Sequence, residues 1–268
     1  MPWALRGLRN GVLTTRWPRR PDDYADEFPS AVTVRPHADS HASGAAIRRL
    51  HEAAAACPTD AISTESGQVS LDRGRCVLCG RCVEDAPERF GWTQGADTAV
   101  LGRRALTVGA VPDTDDALEQ VRAALARRVR RLRRSVHIRH VDTGSDGSDE
   151  WEIQALLNPV YDVNRLGIFI TASPRHADIL LVTGIGGAGM AAPLGRTREA
   201  MPDPVVVIAA GADAVSGGLF ANGYASAGGA AAQLDVDVWV PGSPATPFSL
   251  LHGILLALGR VPTARGGG

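Results

Sequence analysis

The 268-residue sequence predicts an α/β protein in two parts: a small α+β part built around four cysteines, then a parallel sheet covered by helices. Three observations carry that prediction. All four cysteines fall in Cys57-Pro58 and in the run Cys76-Val77-Leu78-Cys79-Gly80-Arg81-Cys82. One amphipathic stretch, 113–134, separates this region from the rest. From Val136 onward short apolar runs alternate with helical patterns, which is how a parallel sheet with crossover helices reads.

The bulk numbers narrow the class. A chain of this length suits one large or two small domains. It is 44% hydrophobic with 30 glycines, hence globular and rich in loops. A formal net charge of -1 gives no overall basic footprint for nucleic acid. Four cysteines in one metal-type pattern point to a reducing compartment rather than a secreted disulfide scaffold. No stretch reaches the roughly 18–20 apolar residues of a membrane span. Ser249–Leu258 is apolar but about half that length, which suits a buried helix.

Taken in order, residues 1–30 read as an amphipathic docking segment. Trp3, Leu5, Leu8 and Leu13 are interleaved there with Arg6 and Arg9, and such a helix can lie on a membrane surface or a partner. Residues 31–108 form the cysteine domain and 109–135 an arginine-rich linker helix. In that helix Leu118, Val121, Leu125, Val129 and Leu132 recur at three- and four-residue steps and make one apolar stripe. Acids crowd its first turns and seven arginines lie between Arg122 and Arg134, a polarity that suits the helix dipole. Residues 136–262 carry the parallel sheet, and 263–268 are a flexible tail. Candidate strands there are Val136–Val141, Ile168–Thr171, Asp178–Thr183, Val205–Ala209 and Val236–Val240. Candidate helices are Glu150–Leu157, Met190–Ala200 and Phe248–Leu258.

The cysteine spacing carries the chemistry. A C-x₂-C-x₂-C run with a remote Cys-Pro holds one cubane iron–sulfur cluster, three thiolates coming from a tight loop and the fourth from a distance. Zinc sites favour paired C-x₂-C knuckles instead. Cys57, Cys76, Cys79 and Cys82 are therefore the candidate metal and cofactor ligands, for one [4Fe–4S] cluster. The frame is that of a two-cluster ferredoxin with one ligand set erased. Counting back from Cys57 lands on Ile47, Leu50 and Ala53, and counting forward from Cys82 lands on Ala86-Pro87. Because the fourth cysteine of each ferredoxin run ligates the other cluster, Cys57 belongs with the later three. The apolar residues at the erased positions are expected to pack into the vacated volume.

Further along, Asn158-Pro159-Val160-Tyr161-Asp162, Arg165-Leu166-Gly167-Ile168 and Ser173-Pro174-Arg175-His176-Ala177-Asp178 stand in order. Met201-Pro202-Asp203-Pro204, Ser216-Gly217-Gly218 and Val240-Pro241-Gly242 follow. This series resembles the small iron–sulfur subunit shared by complex I, membrane-bound [NiFe] hydrogenases and formate hydrogenlyases. The N-terminal part, including Thr15-Arg16-Trp17-Pro18, is similar to the ferredoxin subunit of the same complexes, so the chain reads as two neighbouring subunits fused. The resemblance implies a flavodoxin-like sheet after the ferredoxin-like domain. It also implies a cognate large subunit and membrane subunits as partners, with peripheral membrane contact and no nucleic acid. The implied place is the cytoplasm, at the inner face of the cell membrane.

In that family a cysteine pair, a third cysteine and a fourth before proline hold the terminal cluster. By the flanking residues those positions are Asp146, Asp149, Asp213 and Ser243 here. Hard oxygen ligands suit an iron–sulfur cube poorly, so this is read as a degenerate cluster site; three aspartates could instead hold Mg²⁺ or Ca²⁺ or serve as turn residues. The family's Thr-Arg after the Gly184 strand is replaced by Gly186-Gly187-Ala188-Gly189, which makes Gly184-Ile185-Gly186-Gly187-Ala188-Gly189 a formal G-x-G-x-x-G without the acid that should end the next strand. No catalytic residue is assigned. The expected role is an electron-transfer subunit of a membrane-associated oxidoreductase complex. The alternative is a structural or assembly subunit whose one cluster only stabilises the fold.

Overall fold

The computed structural model describes residues 3–20, 22, 27–36, 44–65, 68–109, 115–129 and 135–261. The expected tail 263–268, Leu132 and the last arginines of the linker stretch lie outside them. Five strands make one all-parallel sheet: β6 (Val136–Asp142), β7 (Ile168–Ile170), β8 (Ile179–Thr183), β9 (Val206–Ala210) and β10 (Val238–Val240). Their order is β10-β9-β8-β6-β7, the flavodoxin-like order, whose switch point lies between the first and third strands. Here that point is the crevice beyond the carboxyl ends of β6 and β8.

Parallel strands covered on both faces need apolar side chains at every position, and β8 and β9 are buried throughout. Alternate residues divide cleanly. Ile179, Leu181, Val206, Ile208, Val238 and Val240 enter one core, while Leu180, Val182, Val207 and Ala209 enter the other. The first core is closed by Leu125 and Val129 of α4 (Asp115–Val129), Ile153 of α5 (Ser148–Ala155) and the wholly buried α8 (Pro247–Ala257). The second is closed by Leu194 of α6 (Ala191–Glu199) and by Ala214 and Val215 of α7 (Gly211–Ser216). The linker helix is thus part of the main core. Its arginine face is not simply solvated, since Arg128 pairs with Asp237 and the carbonyl of Val205 at the sheet edge.

The N-terminal part has two small antiparallel sheets. Strand β1 (Pro29–Val34) pairs with β4 (Phe90–Gln94), and β3 (Ser70–Asp72) lies between β2 (Ile62–Ser63) and β5 (Thr107–Val108). With α2 (Gly44–Ala55) and α3 (Arg81–Asp85) they enclose a core of Val32, Ala53, Leu71, Cys82, Ala86 and Phe90. Ala53 and Ala86 pack inward as expected and Leu50 leans on the same core, but Ile47 is 46% exposed. That expectation is corrected. A helix turns about 100° per residue, so Ile47 stands about 120° around the axis from Ala53 and falls beyond the edge of a stripe that runs from Leu50 to Ala53.

The two parts are joined tightly. Val100 and Trp239 exchange backbone hydrogen bonds, and Ala99 N–H donates to Nδ1 of the buried His252 at 3.2 Å. Arg103 forks onto Asp72 at 2.8 and 2.6 Å and lies over the Trp239 ring. Gly74 packs so closely on Val215 that a Cβ there would stand 2.7 Å from it. At the N terminus, helix α1 (Trp3–Asn10) buries nothing, whereas Trp17 enters the main core edge-on to Phe248 and His252.

Candidate metal centre

Residues 73–80 form the cysteine loop, which runs from a turn after β3 to the start of α3. Leu78 (φ 55) and Gly80 (φ 79) both adopt the left-handed conformation, so the loop coils back on itself between Cys76 and Cys82. Glycine takes that conformation without a Cβ penalty. Gly80 also lies under the Trp92 indole, where a Cβ would come within 3.3 Å of the ring.

Cys57 follows α2 on the opposite side, and its sulfur accepts from the Ala61 N–H at 3.3 Å. All four cysteines line one cavity, whose apolar walls include Val32, Ala53, Ile62 and Leu71. Cys82 is buried, Cys57 and Cys76 are half-buried and Cys79 is exposed. Burial pushes the Cys76 thiol up to about 12 and Cys82 up to about 11, and the neighbouring cysteines add to both. Backbone N–H groups of Leu78 and Val83 work the other way, as donors to sulfur. Four thiolates so placed need a cationic core to compensate them.

Zinc would bind sulfur at about 2.3 Å and draw its ligands together. Among the described residues no group of three or more His, Cys, Asp or Glu is drawn in to hold a single metal ion. The cysteine spacing, one C-x₂-C-x₂-C run and one remote Cys-Pro, is that of a cubane site and not of the paired knuckles zinc favours. A cube that offers one iron to each thiolate fits the donor set and the apolar, N–H-lined walls.

The other candidate residues all lie beyond strand carboxyl ends. Asp146 and Asp149 follow β6, Asp213 opens α7 after β9, and Ser243 follows β10. Asp146 is exposed and caps a turn. Its Oδ1 accepts from the Ser148 N–H at 2.9 Å and its hydroxyl at 2.6 Å, which lowers its pKa. Asp149 is 3% exposed, and its Oδ1 accepts from the Ala245 N–H at 2.9 Å. Burial is the main cause that raises its pKa to about 7, with Glu150, Asp213 and Asp146 adding to it. Asp213 is raised to about 6, first by burial and then by Asp146 and Glu150.

Two glycines make room for these carboxylates. A Cβ on Gly211 would stand 2.0 Å from an Asp149 oxygen, and one on Gly218 would stand 2.0 Å from an Asp213 oxygen. The exposed Ser243 belongs to a loop stitched to the same place through Gly242 O, which accepts from Ala212 N–H at 2.6 Å. Asp146, Asp149 and Asp213 are not gathered into a hard-cation cage either.

Residues 147–257 match the family model of the NADH ubiquinone oxidoreductase 20 Kd subunit, and residues 69–126 match a 4Fe-4S single cluster domain. A probable membrane-bound hydrogenase subunit, mbhJ of Pyrococcus furiosus, is 42% identical over 125 residues, which is 47% of this chain and 75% of that protein. The chain belongs to the 20 Kd subunit family. Formate hydrogenlyase subunit 7 of Escherichia coli is 40% identical over 161 residues, 60% of this chain and 62% of its own length. The chain thus spans less than two thirds of that relative. The structure of the membrane-bound sulfane sulfur reductase, an archaeal respiratory membrane complex, aligns over 52% of this chain and 77% of its own with a TM-score of 0.42 and 28% identity.

Within the 20 Kd family domain the glycine-rich loop after β8 is structural. Gly186, Gly187 and Ala188 donate their N–H groups to Thr143 Oγ1, Thr143 O and Ala225 O. A Cβ on Gly186 would lie 2.6 Å from Gly229 O. Amides already bonded to protein cannot cradle a pyrophosphate, which removes the nucleotide reading of this motif.

One polar group went unnoticed in the sequence. Glu150, next to Asp149, accepts from the hydroxyls of Ser145 (2.6 Å) and Thr183, and Thr183 also meets His140 Nε2 at 2.9 Å. Burial lowers the His140 pKa although Glu150 opposes it. Its only sequence signal was polar residues at the inner end of two strands. No helix among the described residues is long and apolar enough to cross a membrane.

Proposed function

We propose that the chain is an electron-transfer subunit of a membrane-associated oxidoreductase complex, of the kind to which NADH:quinone oxidoreductase, formate hydrogenlyase and membrane-bound [NiFe] hydrogenase belong. The single observation that supports this most is the convergence of Cys57, Cys76, Cys79 and Cys82 on one cavity. A [4Fe–4S] cluster bound there supplies a one-electron couple. The chain's own residues set its surroundings: Val32, Ala53 and Leu71 keep water out, and the N–H groups of Ala61, Leu78 and Val83 offset charge on sulfur. Cys79 is the exposed ligand and so marks the side from which a redox partner approaches.

The sheet half, on this reading, docks a cognate large subunit at the inner face of the cell membrane without a cluster of its own. Asp149 and Asp213 fill their loops with carboxylate packed against Gly211 and Gly218. Four oxygen side chains in place of thiolates leave nothing soft to hold iron. Anaerobically purified protein should therefore contain about four irons per chain, falling to none on Cys57→Ser, and should copurify with a large subunit. About eight irons would sink the one-cluster assignment.

A structural or assembly role is the second reading, favoured by the position of Cys82 inside the N-terminal core with Cys76 packed against it. Metal binding of this kind is coupled to folding. A potentiometric titration separates the two: a reversible couple that partners can address supports transfer, and an inert cluster supports the structural role.

A further inference from the structure

The N-terminal segment combines a fixed anchor, an unpartnered amphipathic helix and a ring of arginines. Its anchor is specific. Thr15 N–H donates to Val160 O at 2.8 Å, the Thr14 hydroxyl to Pro159 O at 2.7 Å, and Arg165 Nη2 to Trp17 O at 2.8 Å. With Trp17 buried beneath it, the chain leaves the body of the protein at a defined point. The helix α1 that precedes this anchor is exposed over its whole length, with Trp3 88% and Leu8 80% accessible. Leu5 and Leu8 share one face at a three-residue step, and Arg6 and Arg9 share the next. Val12 and Leu13 continue the exposed apolar surface toward the anchor.

Where the helix meets the anchor, Arg16, Arg19, Arg20 and Arg165 line an open cavity of about 460 Å³. Among the described residues no acidic side chain lines it. Among the described residues Arg16, Arg19 and Arg20 have no side-chain hydrogen bond or ion pair. Of the acids that follow in the segment, Asp22, Asp23, Asp26 and Glu27, Asp22 accepts from the Thr15 hydroxyl, and Asp23 and Asp26 lie outside the described residues. Arg165 is held by the carbonyls of Trp17 and Tyr161; burial depresses its pKa, the Asp162 carboxylate opposes that fall and the charge of Arg19 adds to it. Like charges gathered around an empty centre repel one another until an anion enters. Guanidinium is also the side chain best shaped for phosphate oxygens.

We propose that this cavity binds the phosphate headgroup of an acidic phospholipid while α1 lies in the same leaflet, so that the chain itself touches the bilayer. Charge complementarity commits the cavity to an anion, and the helix beside it commits that anion to a lipid. A free phosphate would use the arginines and leave Trp3, Leu5, Leu8, Val12 and Leu13 in water. At a bilayer surface the arginines reach headgroup depth while those apolar side chains enter the acyl boundary, the arrangement that holds interfacial helices. The inference adds a lipid-facing site to the membrane association proposed above. It can fail while that association stands through partner subunits alone.

The test uses the full chain, purified anaerobically with its iron content checked, and cosedimentation with vesicles. Vesicles of about three parts phosphatidylglycerol to seven of phosphatidylcholine should bind, those of phosphatidylcholine alone should bind far more weakly, and salt should weaken the binding. Arg16→Gln/Arg19→Gln/Arg20→Gln should weaken it roughly 100-fold, with thermal stability and iron content unchanged. The milder Arg19→Gln/Arg20→Gln, at surface positions outside the anchor, should weaken it at least about tenfold. Leu5→Ser/Leu8→Ser should also weaken it, while leaving the competition by inorganic phosphate in place. Equal binding to neutral vesicles, or arginine variants that bind like the parent, would overturn the proposal. So would loss of a partner subunit, rather than of lipid, in the arginine variants, because the cavity would then belong to a protein interface. Inhibition by phosphate with no contribution from Leu5 and Leu8 would reduce it to a free-anion site and overturn the lipid assignment.

Discussion

Asp149→Asn is the most telling substitution in the sheet half. The parent carboxyl is almost fully buried, and its pKa stands at about 7 against an ordinary 3.8. A pKa raised by folding means that the folded state prefers the proton. The stabilisation from protonated Asp149 is therefore complete below pH 3.8 and fades as the pH rises toward 7; above 7 the buried charge must be carried. At about 1.36 kcal/mol per unit, the ionised form leaves the fold up to about 4 kcal/mol less stable than the protonated form. Asparagine keeps the shape and can still accept from the Ala245 N–H, but it cannot ionise.

The variant should then be more stable than the parent at pH 8, by up to that amount, and indistinguishable near pH 4. Asp213, raised to about 6, should leave a smaller dependence of the same sign in the variant. Urea midpoints followed by far-ultraviolet circular dichroism between pH 5 and 8 measure this directly, with visible absorbance reporting cluster loss separately. A parent whose stability is flat over that range, or a variant less stable at pH 8, would refute the reasoning.

Two other outcomes follow from the same geometry. Ala53→Leu should cost about 1–3 kcal/mol by overpacking the wall of the cysteine cavity, and iron content should fall with it; Ile47→Asp, at an exposed site, should change stability by no more than about 0.5 kcal/mol. Replacing Asp146, Asp149, Asp213 and Ser243 together by cysteine should create a second paramagnetic centre if these strand-end loops keep the geometry of a cluster site, and the iron count of that variant is the check.

The sheet was legible because parallel strands buried on both faces leave runs that nothing else explains. Ile179–Thr183 and Val206–Ala210 were read to within a residue for that reason. The N-terminal sheets were not legible. Strands of two or three residues such as Ile62–Ser63 and Thr107–Val108 exist through their partners, and local sequence carries almost no trace of them. The convergence of the four cysteines was legible in spacing alone, since the frame of two interleaved runs assigns Cys57 to the later three. The same frame says nothing about which way a helix faces, and Ile47 is exposed while Ala53 and Ala86 are buried. The Glu150–Thr183–His140 group was invisible, because each of its members is unremarkable until the sheet brings neighbouring strand ends together.

The junction between the halves bears on why both persist in one chain. The turn that enters the cysteine loop touches Val215 through Gly74, and the same turn holds Asp72, which Arg103 grips while lying over Trp239. Any partner that recognises the strand ends of the sheet therefore meets the cysteine cavity in a fixed orientation. Tight coupling of this sort needs no metal in the sheet half. It needs loops at the ends of β6, β9 and β10 that keep their shape, and the carboxylates at 149 and 213 provide it: one accepts the Ala245 amide, and both fill the space beside glycines. The cost is one buried and one half-buried acid whose charge opposes folding near neutral pH. That cost is reasonable only if the loops themselves are wanted, which is the expectation for a docking face and not for a disused one.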